Sequence, residues 1–259
     1  MVLDMRLYFC SVAILFFLCS CAGLPQVSEA PNREFRFISQ KEISPNACGP
    51  VSMVNAFGSG SEKWQKLLDP YETSRLAAYE IMRTYGGRPS LTFQGRNRWN
   101  KLMGMNLADM EQIMKEMALT QKLVPPRAMT ISGLQEVEKW MKTSLRNGLP
   151  PILNLSRVAY RLTKASPSRI WDPVGSHSIL IVQLRPKVTR KNGEVVLPVV
   201  YVDPKDGMEH EGEIVEPLGS SFPSHGVHFR ESAQSDIFRS ILSSNTKSYL
   251  SVTSLLGAF

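Results

Sequence analysis

The chain changes its hydrophobic period at Pro151, and that change limits the possible folds more than any other feature of its 259 residues. Before it, apolar residues recur at helical spacing. After it, short apolar and β-branched runs alternate with turn-forming stretches. Helices are expected at 48–57, with Pro50 in the first turn and Gly58 as the stop, and at 62–68, 72–85 and 107–119. In the last of these Met110, Met114 and Met117 share one face and read as a core stripe, not as anything that holds a cofactor. Ser132 and Gln135 form a capping box for a helix running to Arg146, closed by Asn147 and Gly148. Strands are expected at 35–39, 152–155, 178–184, 195–202, 227–229 and 248–256. Helices first and an antiparallel sheet second describe one α+β domain over 35–259. The composition, 43% hydrophobic and 20% charged, excludes a disordered, collagenous or coiled-coil chain.

The N-terminus carries an address. Residues 7–18, LYFCSVAILFFL, are apolar apart from Ser11 and too short for the ~20 residues of a spanning helix, as in a signal peptide. Arg6 precedes them, and Leu18-Cys19-Ser20-Cys21 follows, which resembles a bacterial lipobox. The expectation is a lipoprotein-type signal over 1–21, lipidation of Cys21, a tether over 22–34 and a cell-envelope location; a cut after Ala22 would instead release a soluble exported protein. Either way Cys10 and Cys19 are lost, and Cys48 is the one thiol left in an oxidising compartment. A lone thiol there is either inert and buried or reactive.

A cysteine attacks as thiolate, and a helix N-terminus lowers its pKa. Cys48 is expected at such a position. Of the four histidines, His177 is best supported as a base, because Gly175-Ser176-His177 opens the apolar run Ser178-Ile179-Leu180-Ile181-Val182. Asp203 ends the next run, Val199-Val200-Tyr201-Val202-Asp203, and could orient the imidazole. A hairpin closed tightly at Asn192-Gly193 would put Asp203 opposite Val182, too far from His177. Pro186 and Pro198 cannot donate to a ladder, so the register is expected to close near Leu184 and Leu197, setting His177 opposite Pro204.

Cys48-Gly49-Pro50, Gly148-Leu149-Pro150-Pro151, Gly175-Ser176-His177 and Asp203-Pro204, in this order and spacing, resemble the papain-like peptidases related to bacteriocin-leader (double-glycine) processing enzymes. The resemblance covers about residues 35 to 210. It implies a papain-like fold and hydrolysis of peptide bonds through a thioester, with Cys48 as nucleophile, His177 as acid and base, and Asp203 completing the triad. That family carries a Gln five or six residues before the cysteine, where this chain has Glu42 and Ile43. Gln40, eight before, is the preferred oxyanion donor, and Asn46, two before, is the alternative. A catalytically inactive binding module, or a cell-wall endopeptidase or transglutaminase-like acyl transferase using the same triad, are the competing functions.

No cofactor or metal is implied: His210, His225 and His228 lack partners at convincing ligand spacing. The net charge of +7 favours an anionic neighbourhood without pointing to nucleic acid. Arg88, Arg96, Arg98, Trp99 and Lys101 form the most basic stretch and read as a solvated loop. The expected partners are a peptide or protein substrate and, through the lipid anchor, a membrane.

Overall fold

A computed structural model describes residues 27–162, 169–216, 227–231 and 248–259. The expected signal peptide, the lipidation site Cys21 and His225 lie outside these residues.

Helix α1 (Cys48–Gly58) is the centre of the first half. From Gly49 to Gly58 every residue is buried, and the two polar side chains among them, Ser52 and Asn55, are hydrogen-bonded. Around it stand α2 (Glu62–Gln65), α3 (Ser74–Glu80), which runs on into a wide turn over Ile81–Tyr85, and α4 (Leu107–Thr120). Met110, Met114 and Met117 are buried in this layer, and Gly49 lets α4 approach: a Cβ there would sit 3.1 Å from Met110 Sδ. A short hairpin, β2 (Trp99–Asn100) and β3 (Gly104–Met105), precedes α4. Helix α5 (Leu134–Arg146) ends where Gly148 takes a φ of +81°. Its cap differs from the expected box. Gly133 occupies the N-cap without a side-chain bond, and Ser132, one position further out, gives both its N–H and its hydroxyl to Glu136 rather than pairing with Gln135.

The remaining strands are β1 (Ser28–Glu29), β4 (Arg127–Thr130), β5 (Ile152–Leu162), β6 (Arg169–Leu184), β7 (Val188–Thr189), β8 (Val195–Asp203), β9 (Met208–Val215), β10 (Val227–Glu231) and β11 (Ser248–Gly257). All their pairings are antiparallel, in the order β6-β5-β11-β10-β9-β8, and β8 pairs back onto β6. Six strands thus close on themselves as a barrel. Alternate residues face two cores. Leu153, Ile179, Ile181, Val199, Tyr201, Phe229 and Val252 pack with one another and with Leu134, Val137 and Met141 of α5. Ile152, Leu180, Val182, Val200 and Val202 pack against the helical layer. Both faces of β8 and of the 178–184 part of β6 are therefore covered, which explains the mostly apolar sequence there.

Two expectations are corrected at the N-terminus. The segment 35–39 is extended but is not a strand; the buried side chain of Asn55 takes the place of a neighbouring strand, accepting from Ile38 N at 3.0 Å and donating to Ile38 O at 3.1 Å. The segment assigned to a tether is docked from Ser28 onward. β1 pairs with Gln183 and Leu184 where β5 has run out, Ala30 N donates to Val182 O, and Arg33 pairs with Glu209. The strand β9 went unforeseen because Glu209, Glu211 and Glu213 dilute its hydrophobic pattern.

Candidate functional site

Ala47 precedes α1 without any side-chain cap, so the first N–H groups of the helix are left to serve the sulfur of Cys48, which is half-buried. Serine 52, one turn on, reaches the carbonyl of Ser178 at 3.4 Å and ties the helix to β6.

His177 does not open its strand. β6 begins at Arg169 and pairs with β5 from there to Leu180, with one bulge before Gly175, His177 standing opposite Leu155. Its other side is where the open end lies, because the β6–β8 ladder stops at Leu180 opposite Val202. The register also differs from the expected one. The hairpin does close tightly, with Arg190 N donating to Glu194 O and Val188 opposite Val196. The pairing then slips through the break at 185–187 and through a bulge between Ile181 and Gln183, a device that re-aims side chains near sites. Continued by one pair, the ladder sets Asp203 opposite Ile179, two positions from His177. That is the diagonal relation across neighbouring strands, within reach of a ring and a carboxylate.

The side chains meet accordingly. His177 Nε2 lies 2.7 Å from Asp203 Oδ1, with Asp203 fully buried and the His177 side chain 11% exposed. Asp203 Oδ1 also accepts from Lys205 N at 2.8 Å. With Nε2 occupied by the carboxylate, Nδ1 is the nitrogen left for the thiol of Cys48, to which His177 is hydrogen-bonded. Burial alone would raise the thiol pKa, yet the His177 hydrogen bond and charge and the N–H groups of Ser178 and Gly49 bring it below its ordinary value. Burial would likewise lower His177, and the opposing bonds and charges of Asp203 and Cys48 push it up to about 10. For Asp203, burial works upward and is outweighed by His177 and the Lys205 N–H, so its carboxyl lies below the usual range. Together these shifts favour a thiolate beside an imidazolium.

The turn that carries Gln40 is docked beside Asp203: Gln40 N donates to Pro204 O at 2.6 Å and Ser39 Oγ to Lys205 O at 2.8 Å. The Gln40 side-chain amide donates to Pro45 O at 2.8 Å, keeping one proton, while its buried Oε1 has no partner among the described residues. Asn46 has no proton to spare, since its amide donates to both Lys101 O and Leu102 O. Of the two expected oxyanion donors, Gln40 is therefore the one with capacity left.

Three contributors escaped the sequence reading. Ser178 supplies an N–H to the thiol and a hydroxyl to Asn154 Oδ1 at 2.6 Å, and only its place next to His177 could have signalled it. Lys205 acts through its backbone, which no side-chain pattern reveals. The third is the β2–β3 hairpin beside Asn46. The basic stretch is not a free cationic loop: Arg88 and the buried Arg98 both bind Glu116, and Arg96 lies over the Phe93 ring. Of the other histidines, His210 is bonded to Asp206 and His228 is buried in β10. No group of three metal-ligating side chains and no helix able to cross a membrane occurs among the described residues.

No family of known proteins matches the chain, and neither the curated proteins nor the solved structures contain a match to it.

Proposed function

We propose that this chain is a cysteine peptidase of papain-like type that hydrolyses peptide bonds through a thioester, exported and held at the cell envelope by a lipid on Cys21. The observation that carries the catalytic reading is the buried Asp203 carboxylate bonded at 2.7 Å to a histidine that is itself hydrogen-bonded to a helix-terminal thiol. A structural cysteine needs neither a helix N-terminus nor a histidine held by an unexposed carboxylate.

In this reading the Cys48 thiolate attacks the scissile carbonyl carbon, and the carbonyl π electrons move to oxygen. The oxyanion takes hydrogen bonds from the Cys48 N–H and from the remaining amide proton of Gln40. As the tetrahedral species collapses, His177 gives its proton to the leaving amine and the C–N bond breaks, leaving a thioester. His177, now neutral, takes a proton from water, whose oxygen attacks the thioester. Collapse then breaks the C–S bond, releases the carboxylic acid and leaves the thiolate beside the imidazolium already formed. Asp203 keeps the ring in one tautomer and orientation throughout.

Replacement of Cys48 by Ala is expected to abolish hydrolysis of a denatured-protein substrate while circular dichroism and melting stay those of the parent. Equal turnover in the variant would end the proposal. The bond from Gln40 Nε2 to Pro45 O favours a second reading, a binding module on the same fold with an incomplete oxyanion site. The two differ in Cys48 chemistry: a peptidase thiolate is alkylated by iodoacetamide rapidly near pH 6, whereas an idle thiol reacts there no faster than free cysteine.

A further inference from the structure

The β2–β3 hairpin is fastened to the polypeptide immediately ahead of Cys48. Both amide protons of Asn46 are given to its tip, at 2.8 Å to Lys101 O and 3.1 Å to Leu102 O. Leu102 N and Met103 N in turn donate to Asn100 Oδ1, at 2.9 and 3.2 Å, which tightens the turn. Gly104, at a φ of +72°, lets the returning strand pass against Asn46 O: a Cβ there would lie 3.0 Å away. The tip is therefore a braced element, not a loose loop.

What it presents is unusual for a braced surface turn. Leu102 is 84% exposed and Met103 71%, the two most exposed large apolar side chains among the described residues. Neither is needed to fold the hairpin, whose backbone is held by Asn46 and Asn100. Adjacent apolar side chains held out in water signal a partner surface, and Met suits partners of varied shape. The position selects the partner. Asn46, which holds the tip, lies two residues before Cys48, and a Cβ on Gly49 would lie 3.4 Å from Met105 of β3, so the hairpin borders the start of the helix that carries the sulfur.

We infer that Leu102 and Met103 form one wall of the substrate cleft and select peptides with a large apolar residue next to the bond that Cys48 attacks. This rests on the peptidase reading above and adds a specificity to it. Lys101, in the same tip, disfavours a second cation at that place and leaves the apolar contact as the discriminating one.

The test uses the full chain and two covalent probes, peptidyl chloromethyl ketones that differ only in carrying Leu or Gly beside the ketone. In each, the thiolate displaces chloride and a carbon–sulfur bond forms at Cys48. Every rate is divided by the same variant's iodoacetamide rate, which removes changes in thiol reactivity. The parent is expected to favour the Leu probe by about 10-fold to 100-fold, the range for one apolar side chain in a pocket. In the double variant Leu102→Gln, Met103→Gln that ratio is expected to fall to within about threefold of unity, with KM for a matching apolar peptide rising more than kcat falls. Both positions are exposed, so folding is not at stake. A parent ratio near unity, or a parent-like ratio in the double variant, overturns the inference. So does a double variant that keeps its ratio but loses binding to vesicles of anionic lipid, which would assign the tip to a membrane surface. If iodoacetamide itself fails to react faster than free cysteine, the peptidase reading fails first and takes this one with it.

Discussion

Replacing Asp203 with Asn removes one charge from the site and little else, because the amide keeps the carboxylate's shape and an oxygen that can still accept from His177 and Lys205. The change in the ion pair can be sized. His177 rises from an ordinary value near 6.5 to about 10 although burial opposes the rise. At ~1.4 kcal/mol per pKa unit, that is on the order of 5 kcal/mol in favour of the imidazolium, shared between Asp203 and Cys48. The Asp203 bond is the larger favourable contribution. The carboxylate therefore carries the larger share of that preference, and with the side chain only 11% exposed solvent screening reduces it little. In the Asn variant both the imidazolium and the thiolate it supports are weakened, and losing even ~1.4 kcal/mol of that preference lowers the ion-pair population about 10-fold. The assay is the rate of Cys48 alkylation by iodoacetamide from pH 5 to 10. The parent should react below the pH at which an ordinary thiol ionises, while the variant should lose about 10-fold or more at pH 6 and converge with it near pH 10, where a thiol ionises unaided. Stability should follow with a definite sign. The raised histidine stabilises the fold below about pH 6.5 and loses this as pH climbs through about 10; the lowered aspartate stabilises it above about pH 4 and loses this as pH falls through its folded value. The parent's advantage over the variant should thus be greatest between about pH 4 and 6.5 and shrink toward pH 10. Superimposable alkylation profiles would refute the ion-pair argument.

Two structural substitutions test how the site is positioned. Asn55→Leu leaves both the N–H and the carbonyl of Ile38 buried without partners; a loss of about 2–5 kcal/mol in urea unfolding is expected, and a loss under 0.5 kcal/mol would show that the 35–39 segment is held otherwise. Gly148→Ala puts a Cβ into Ser61 at a φ of +81°, so melting should fall by roughly 3–10 °C, and an unchanged Tm would contradict the left-handed turn at the end of α5.

The site was more legible than the fold around it, for physical reasons. Pro50 and Gly58 mark the ends of α1, and the structure starts that helix at Cys48. The run from Ser178 to Leu184 and the one ending at Asp203 are mostly apolar because both faces are covered, so they stood out as strands. The relation between them did not. A bulge at Val182 is a backbone event that leaves no mark on residue type, and the expected partner of His177 was therefore misplaced even though the Asp203 contact exists. The long N-terminal part of β6, from Arg169 to Gly175, was missed because Pro173 and Gly175 interrupt any strand pattern, while β5 in fact carries the pairing past them. Asn46 was weighed as an oxyanion donor, and nothing in a linear chain could show its amide protons already engaged at Lys101 and Leu102.

The sulfur belongs to the helical layer, whereas the imidazole and carboxyl belong to the closed barrel. Their meeting therefore gauges how the two layers are seated. A sideways shift of a single ångström would leave each core intact and silence the chemistry, and any molecule wedged between helix and barrel would quench the thiol without ever touching it.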